Sequence, residues 1–124
     1  MTKIMVVDDE EDVLFVVKEM LREAGYDVIG CISGEECLDR IKREMPDLVL
    51  MDIMMPGMDG WAAAAKIKED QETRHIPVAM LTVRGSKEDK LWSFHWSKCD
   101  AYLVKPIDRK ELLKVSKWLL EGKK

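Results

Sequence analysis

The chain has 124 residues, 47% of them apolar and 35% charged, and a formal net charge of −4 at pH 7. That length fits one domain with a real core, and that apolar fraction excludes a disordered chain. No basic stripe interrupts the acidic balance, which excludes nucleic acid and anionic membrane surfaces as expected direct partners.

No apolar run approaches the ~20 residues of a membrane span. The opening, MTKIMVVDDEED, turns acidic too soon for a signal peptide. Cys31, Cys37 and Cys99 form no CxxC pair and fit reduced thiols in a cytoplasmic protein better than a disulfide frame.

The first apolar run, Lys3–Val7, reads as a strand. Val13, Val17, Met20 and Ala24 follow at helical spacing, with Gly25 where a C-terminal cap belongs. A second strand at Asp27–Cys31 leads to Ser33 and Glu36, a capping box. They open a helix that carries Cys37, Leu38 and Ile41 and stops at Pro46. The third strand is placed at Asp47–Met51, with Asp59 capping a helix through Ala62–Ala65. A fourth strand, Pro77–Leu81, precedes a helix opened by Ser86 and Asp89. The fifth, Ala101–Val104, precedes one opened by Asp108 and Glu111 and holding Leu112, Val115 and Leu119.

The strands are short and not strictly alternating, as strands covered on both faces are. Strict alternation of strand and helix implies parallel strands joined by right-handed crossovers. The expected fold is α/β, a three-layer α/β/α sandwich, in a single domain over residues 1–124.

The polar residues after these strands gather at one place. Asp8 and Asp9 follow the first, Asp52 the third, Thr82 the fourth and Lys105 the fifth. All lie at the carboxyl ends of parallel strands, the edge where open α/β sheets bind ligands. Three carboxylates in one pocket repel, each close pair by roughly 4 kcal/mol at an effective dielectric near 20. Lys105 offsets one charge; the remainder needs a cation or raised pKa values. An all-oxygen site with room for water suits Mg²⁺, whereas zinc would want His or Cys. A cation with Lys105 reverses the sign of the pocket and favours phosphate. Thr82 then offers a hydroxyl to a phosphoryl oxygen, and Asp52 is a carboxylate placed as nucleophile. Residue by residue, blander readings exist: the acid run Asp8–Asp12 also suits the positive end of a helix, and Asp52 also suits a turn.

Four blocks, VVDDEE, VLMDIMMPGMDG, VAMLTVRG and AYLVKP, in this order and spacing, closely resemble the receiver domain of response regulators, the CheY-like proteins of two-component signalling. The resemblance runs from Lys3 to about Leu120. It implies a flavodoxin-like, doubly wound sheet of five parallel strands in order 2-1-3-4-5. It further implies that Asp52 accepts a phosphoryl group from a phosphohistidine on a sensor histidine kinase or phosphotransfer protein. Asp9 and Asp52 resemble direct Mg²⁺ ligands, joined by the main-chain carbonyl of Met54, with Asp8 acting through water. Lys105 resembles the lysine that pairs with the phosphoryl group or with Asp52. Thr82 and Tyr102 resemble a switch pair, and Lys105–Pro106 resembles the family's cis peptide. The implied output is a change of the surface formed by the fourth helix, fifth strand and fifth helix. That surface would control an unidentified protein partner through a monomer or a phosphorylation-dependent dimer. The chain is expected to be a cytoplasmic signalling phosphoacceptor rather than an enzyme, with no output domain.

The segment LWSFHWSKCD departs from the family's small residues near Lys98. One helix face does not easily bury Leu91, Trp92, Phe94 and Trp96 together, so Trp92 is assigned to the core and Trp96 to an exposed partner surface with Tyr102. Met54 and Arg84 border the expected path of water to the acyl phosphate. Met51, Met54, Met55 and Met58 are expected to fill gaps beside Pro56. His75 and His95 are isolated and expected to be structural or solvent-facing. Three rivals remain. A nucleotide or flavin binder would need a Gly-rich or hydroxyl-rich loop where DDEED stands. A phosphatase with an aspartate nucleophile would need an acid where Met54 stands. A degenerate receiver would lack pocket residues that this chain keeps.

Overall fold

The computed structural model describes residues 1–83 and 99–122. In chain order the elements are β1 (Lys3–Val7), α1 (Glu11–Glu23), β2 (Asp27–Cys31), α2 (Gly34–Glu44), β3 (Leu48–Asp52), α3 (Gly60–Glu69), β4 (Val78–Val83), β5 (Ala101–Lys105) and α4 (Arg109–Leu120). The strands form one parallel sheet in the order β2-β1-β3-β4-β5. The helix expected to open at Ser86 lies outside the described residues, as do Arg84, Trp92, Phe94, His95, Trp96 and Lys98.

The alternation missing from each strand's sequence is present in its packing. Met5, Val7, Val49, Met51, Val78 and Met80 point to one face, where they meet Cys37 and Ile41 of α2 and Ala63, Ala64 and Ile67 of α3. Ile4, Val6, Leu48, Leu50, Ala79, Leu81 and Leu103 point to the other, against Val17 and Leu21 of α1 and Leu112 and Leu119 of α4. Both faces of the sheet are apolar because both are covered by helices, which gives the three layers.

Helix ends follow the capping residues. Ser33 Oγ accepts from Glu36 N at 3.0 Å, Asp59 Oδ1 from Ala62 N at 2.8 Å and Asp108 Oδ2 from Glu111 N at 2.9 Å. The return half of the Ser33 box is shifted: Glu36 Oε1 accepts from Ile32 N at 2.7 Å, one residue before the cap. Gly25 follows α1 at φ +97°, and Met45 ends α2 in the left-handed region at φ 45° before Pro46. The Lys105–Pro106 peptide is cis.

Three strands extend further at their carboxyl ends than expected. β3 runs to Asp52, β4 to Val83 and β5 to Lys105, so Asp52, Thr82 and Lys105 are strand residues rather than loop residues. The cause is continued pairing: Asp52 stands opposite Leu81, Thr82 opposite Val104 and Val83 opposite Lys105. Polar side chains ended the apolar pattern, but the backbone ladder does not require apolar side chains. Cys31, Cys37 and Cys99 are all buried, and none of them forms a disulfide.

Candidate functional site

The chain passes from β1 outward to β2 and then crosses back to β3 on the other side of β1. The reversal opens a crevice beyond the carboxyl ends of β1 and β3. Asp8 leaves β1 at its rim and Asp52 ends β3 beside it. Both are buried, at 0% and 3% exposed, and Thr82 near the end of β4 is buried with them. Strand ends fix these side chains to the hydrogen-bonded sheet.

Lys105, ending β5, brings the charges together. Its Nζ lies 2.9 Å from Asp8 Oδ2, 3.2 Å from Asp52 Oδ1 and 3.3 Å from Glu10 Oε1. Asp8 Oδ2 is buried and receives no hydrogen bond of acceptable geometry, so its contact with the ammonium is ionic. Asp8, Glu10 and Asp52 each place a carboxylate oxygen within 4.8 Å of the others. One lysine faces three carboxylates.

The electrostatic result is legible at Asp52. Burial, then the charge of Asp8, push its carboxyl up to about 7, with Lys105 pulling the other way and Asp9 adding to the rise. Burial works against the Lys105 ammonium, but Asp8 and Asp52 outweigh it and hold the group above the usual lysine range.

The loop after Asp52 is tightly folded back. Gly60 N–H donates to Ile53 O at 2.8 Å, and a Cβ on Gly60 would sit 2.1 Å from the Asp52 carbonyl oxygen. Gly57 takes φ +75°, and Glu35 Oε2 accepts from Met58 N at 3.3 Å. Met51 in β3 and Met55 in the loop are buried and Met58 is partly so, but Met54 is 58% exposed. Met54 is therefore corrected from gap filler to surface residue. The turn between Ile53 and Gly60 is too short to fold each of its methionines inward.

The expected residues do not all enter the cluster. Asp9 is half-buried and acts on Asp52 by charge, but it is not one of the three carboxylates drawn together. Glu10 takes that third place, and the sequence reading did not single it out. The available signal was its position as N-cap of α1, a place that favours Ser, Thr, Asp or Asn; Glu10 makes no side-chain cap bond. Tyr102 is half-buried in register with Met80, two rungs below the Thr82–Val104 pair, and packs against the cluster on the α2–α3 face. His75 is exposed as expected. Trp96 is outside the described residues; Trp118 on α4, 41% exposed, is a surface aromatic that the pattern did not reveal.

The arrangement suits an oxygen-ligated cation and an anion beside it. The family model for the response regulator receiver domain matches residues 4–117. Protein PilH of Pseudomonas aeruginosa is 36% identical over 122 residues, covering 98% of this chain and 100% of PilH. Response regulator PleD of Caulobacter vibrioides is 38% identical over 106 residues, covering 86% of this chain but 23% of PleD. Among solved structures, a CheY-like receiver domain protein from Methanospirillum hungatei superposes with a TM-score of 0.84 at 32% identity, covering 98% of this chain and 95% of that one. Chemotaxis protein CheY4 of Vibrio cholerae superposes with a TM-score of 0.86 at 29% identity, covering 94% and 97%.

Proposed function

This chain belongs to the response regulator receiver domain family, and from that premise we propose that Asp52 is its phosphoacceptor, taking a phosphoryl group from a histidine kinase or phosphotransfer protein. The observation that carries this reading is the buried Asp52 carboxylate, 3.2 Å from Lys105 and beside Asp8, at the ligand-binding edge of a parallel sheet. An Asp52 carboxylate oxygen attacks the phosphorus of a donor phosphohistidine. The O–P bond forms as the N–P bond breaks, and the imidazole leaves with the electron pair, taking up a proton. The product is an acyl phosphate on Asp52.

The residues present fit Mg²⁺. The donor set is all oxygen, Asp8 Oδ2 is buried and held by its ionic contact with Lys105, and Asp52 is crowded by like charge. Asp9, Asp52 and the Met54 main-chain carbonyl would hold the ion directly, with Asp8 through water. When bound, the ion neutralises charge on the incoming phosphoryl oxygens. Lys105 supplies the second positive charge and holds the acceptor oxygen in place. The Thr82 hydroxyl donates to a phosphoryl oxygen, and Tyr102 follows it inward. Phosphorylation turns one negative charge into about two, which biases a pre-existing equilibrium of the surface around β5 and α4. The chain signals through a protein partner and turns over no free substrate.

The test is intact mass after incubation with Mg²⁺ and acetyl phosphate. The expected result is a gain of one phosphoryl group, absent in Asp52→Ala and with EDTA. A wild-type protein that gains nothing while another receiver does refutes the reading.

A further inference from the structure

Lys105 holds three carboxylates, and one of them differs from the others. Asp8 and Asp52 are buried at strand ends, while Glu10 is exposed at the N-cap of α1. The backbone of Glu10 is fixed: its N–H donates to Asp8 Oδ1 at 2.9 Å, and its carbonyl accepts from Leu14 N at 3.0 Å. Its side chain caps nothing and turns to Lys105, with Oε1 3.3 Å from Nζ. Glu10 is thus a solvent-facing negative charge on the same ammonium that the buried carboxylates use. An anion approaching Lys105 from solvent meets this carboxylate before the buried pair.

Resting on the phosphoacceptor reading, we propose that Glu10 is a charge gate that selects among phosphodonors. It disfavours donors that carry two negative charges and spares those whose phosphoryl group sits on a nitrogen base. Two physical arguments set the direction. Coulomb repulsion from Glu10 scales with the donor's charge, so a dianionic acyl phosphate meets about twice the barrier of a monoanionic phosphoramidate. Lys105 must also exchange Glu10 for the phosphoryl oxygens, and an exposed partner is the one whose release costs least. In either transfer an Asp52 oxygen attacks phosphorus. The O–P bond to acetate breaks in one case. In the other the N–P bond breaks and ammonia leaves, the nitrogen having taken up a proton. Because Glu10 faces solvent, its influence is screened beyond about 10 Å at 0.1 M salt.

The experiment measures initial rates of phosphoryl gain by intact mass, with Mg²⁺, for wild type, Glu10→Gln and Glu11→Gln. Glu11→Gln removes the same charge one residue away in the first turn of α1. Each is run with acetyl phosphate and with phosphoramidate, at about 50 mM and about 500 mM NaCl. Glu10→Gln should speed acetyl phosphate about threefold at low salt and phosphoramidate by clearly less, and the gain should shrink towards unity at high salt. Glu11→Gln should follow wild type. Equal gains with both donors, a gain indifferent to salt, or no gain in Glu10→Gln while wild type is phosphorylated overturns the gate alone. A wild type that accepts from neither donor overturns the phosphoacceptor reading and the gate together.

Discussion

Asp52→Asn should make the metal-free protein more stable, and by an amount that depends on pH. Asp52 is 3% exposed, and burial with the charge of Asp8 raises its carboxyl from the usual 3.8 to about 7. A carboxyl raised in the folded state destabilises that state once it ionises. Below pH ~4 the group is protonated whether the chain is folded or not, and nothing is lost. Between about 4 and 7 only the unfolded chain releases the proton, so stability falls as pH rises; above about 7 the loss is complete. At ~1.36 kcal/mol per pKa unit the ceiling is about 4 kcal/mol at pH 8 and about 1.5 kcal/mol at pH 5. Asparagine keeps the shape and an acceptor for Lys105 while removing the charge. The assay is urea unfolding with EDTA at pH 5 and pH 8, comparing midpoints at constant m. The variant should gain at least ~2 kcal/mol more at pH 8 than at pH 5. A gain that is equal at both pH values, or a variant less stable than wild type at pH 8, refutes the electrostatic account of the pocket.

Gly60→Ala should cost more than ~3 kcal/mol by thermal or urea unfolding, since its Cβ would lie 2.1 Å from the Asp52 carbonyl oxygen and backbone must move. A loss under ~1 kcal/mol would show that the loop has room. Burial first, then neighbouring charge, hold the Cys31 thiol at about 11 and the Cys37 thiol at about 12, so at pH 8 a thiol reagent should label neither until the chain is unfolded. Rapid labelling of the native protein would contradict their burial. Met54, 58% exposed, offers an apolar side chain beside the Asp52 loop, and Met54→Asn should shorten the phosphorylated lifetime several-fold by admitting water. An unchanged dephosphorylation rate discards that role.

The fold was legible because its signals are local and redundant. Ser33, Asp59 and Asp108 each mark a helix start and each accepts the expected backbone N–H. The two-faced burial of the strands was visible as runs such as IMVV and LVLM, which show no polar side because both faces pack. Strand ends were harder. Asp52, Thr82 and Lys105 break the apolar pattern, yet they remain on the ladder because backbone pairing is indifferent to the side chain. The strand order itself is carried by long-range packing, and only the family resemblance supplied it.

The site divides the same way, and the division shows what spacing can encode. Asp8, Asp52, Thr82 and Lys105 follow from topology: once the strands are parallel, their carboxyl ends must share an edge. Which members of a continuous acid run enter the pocket is a different matter. From Asp8 to Asp12 every residue is acidic, so composition cannot rank them. The backbone decides. Asp8 Oδ1 accepts from Glu10 N at 2.9 Å, and that short turn leaves Asp9 half-buried while it carries Glu10 to the N-cap of α1, facing Lys105. A residue two places along from Asp8 thereby joins the same cation, Lys105, 95 positions away in the chain. The sequence marks the pocket by its strand ends. Its outermost charge is set by one turn of backbone.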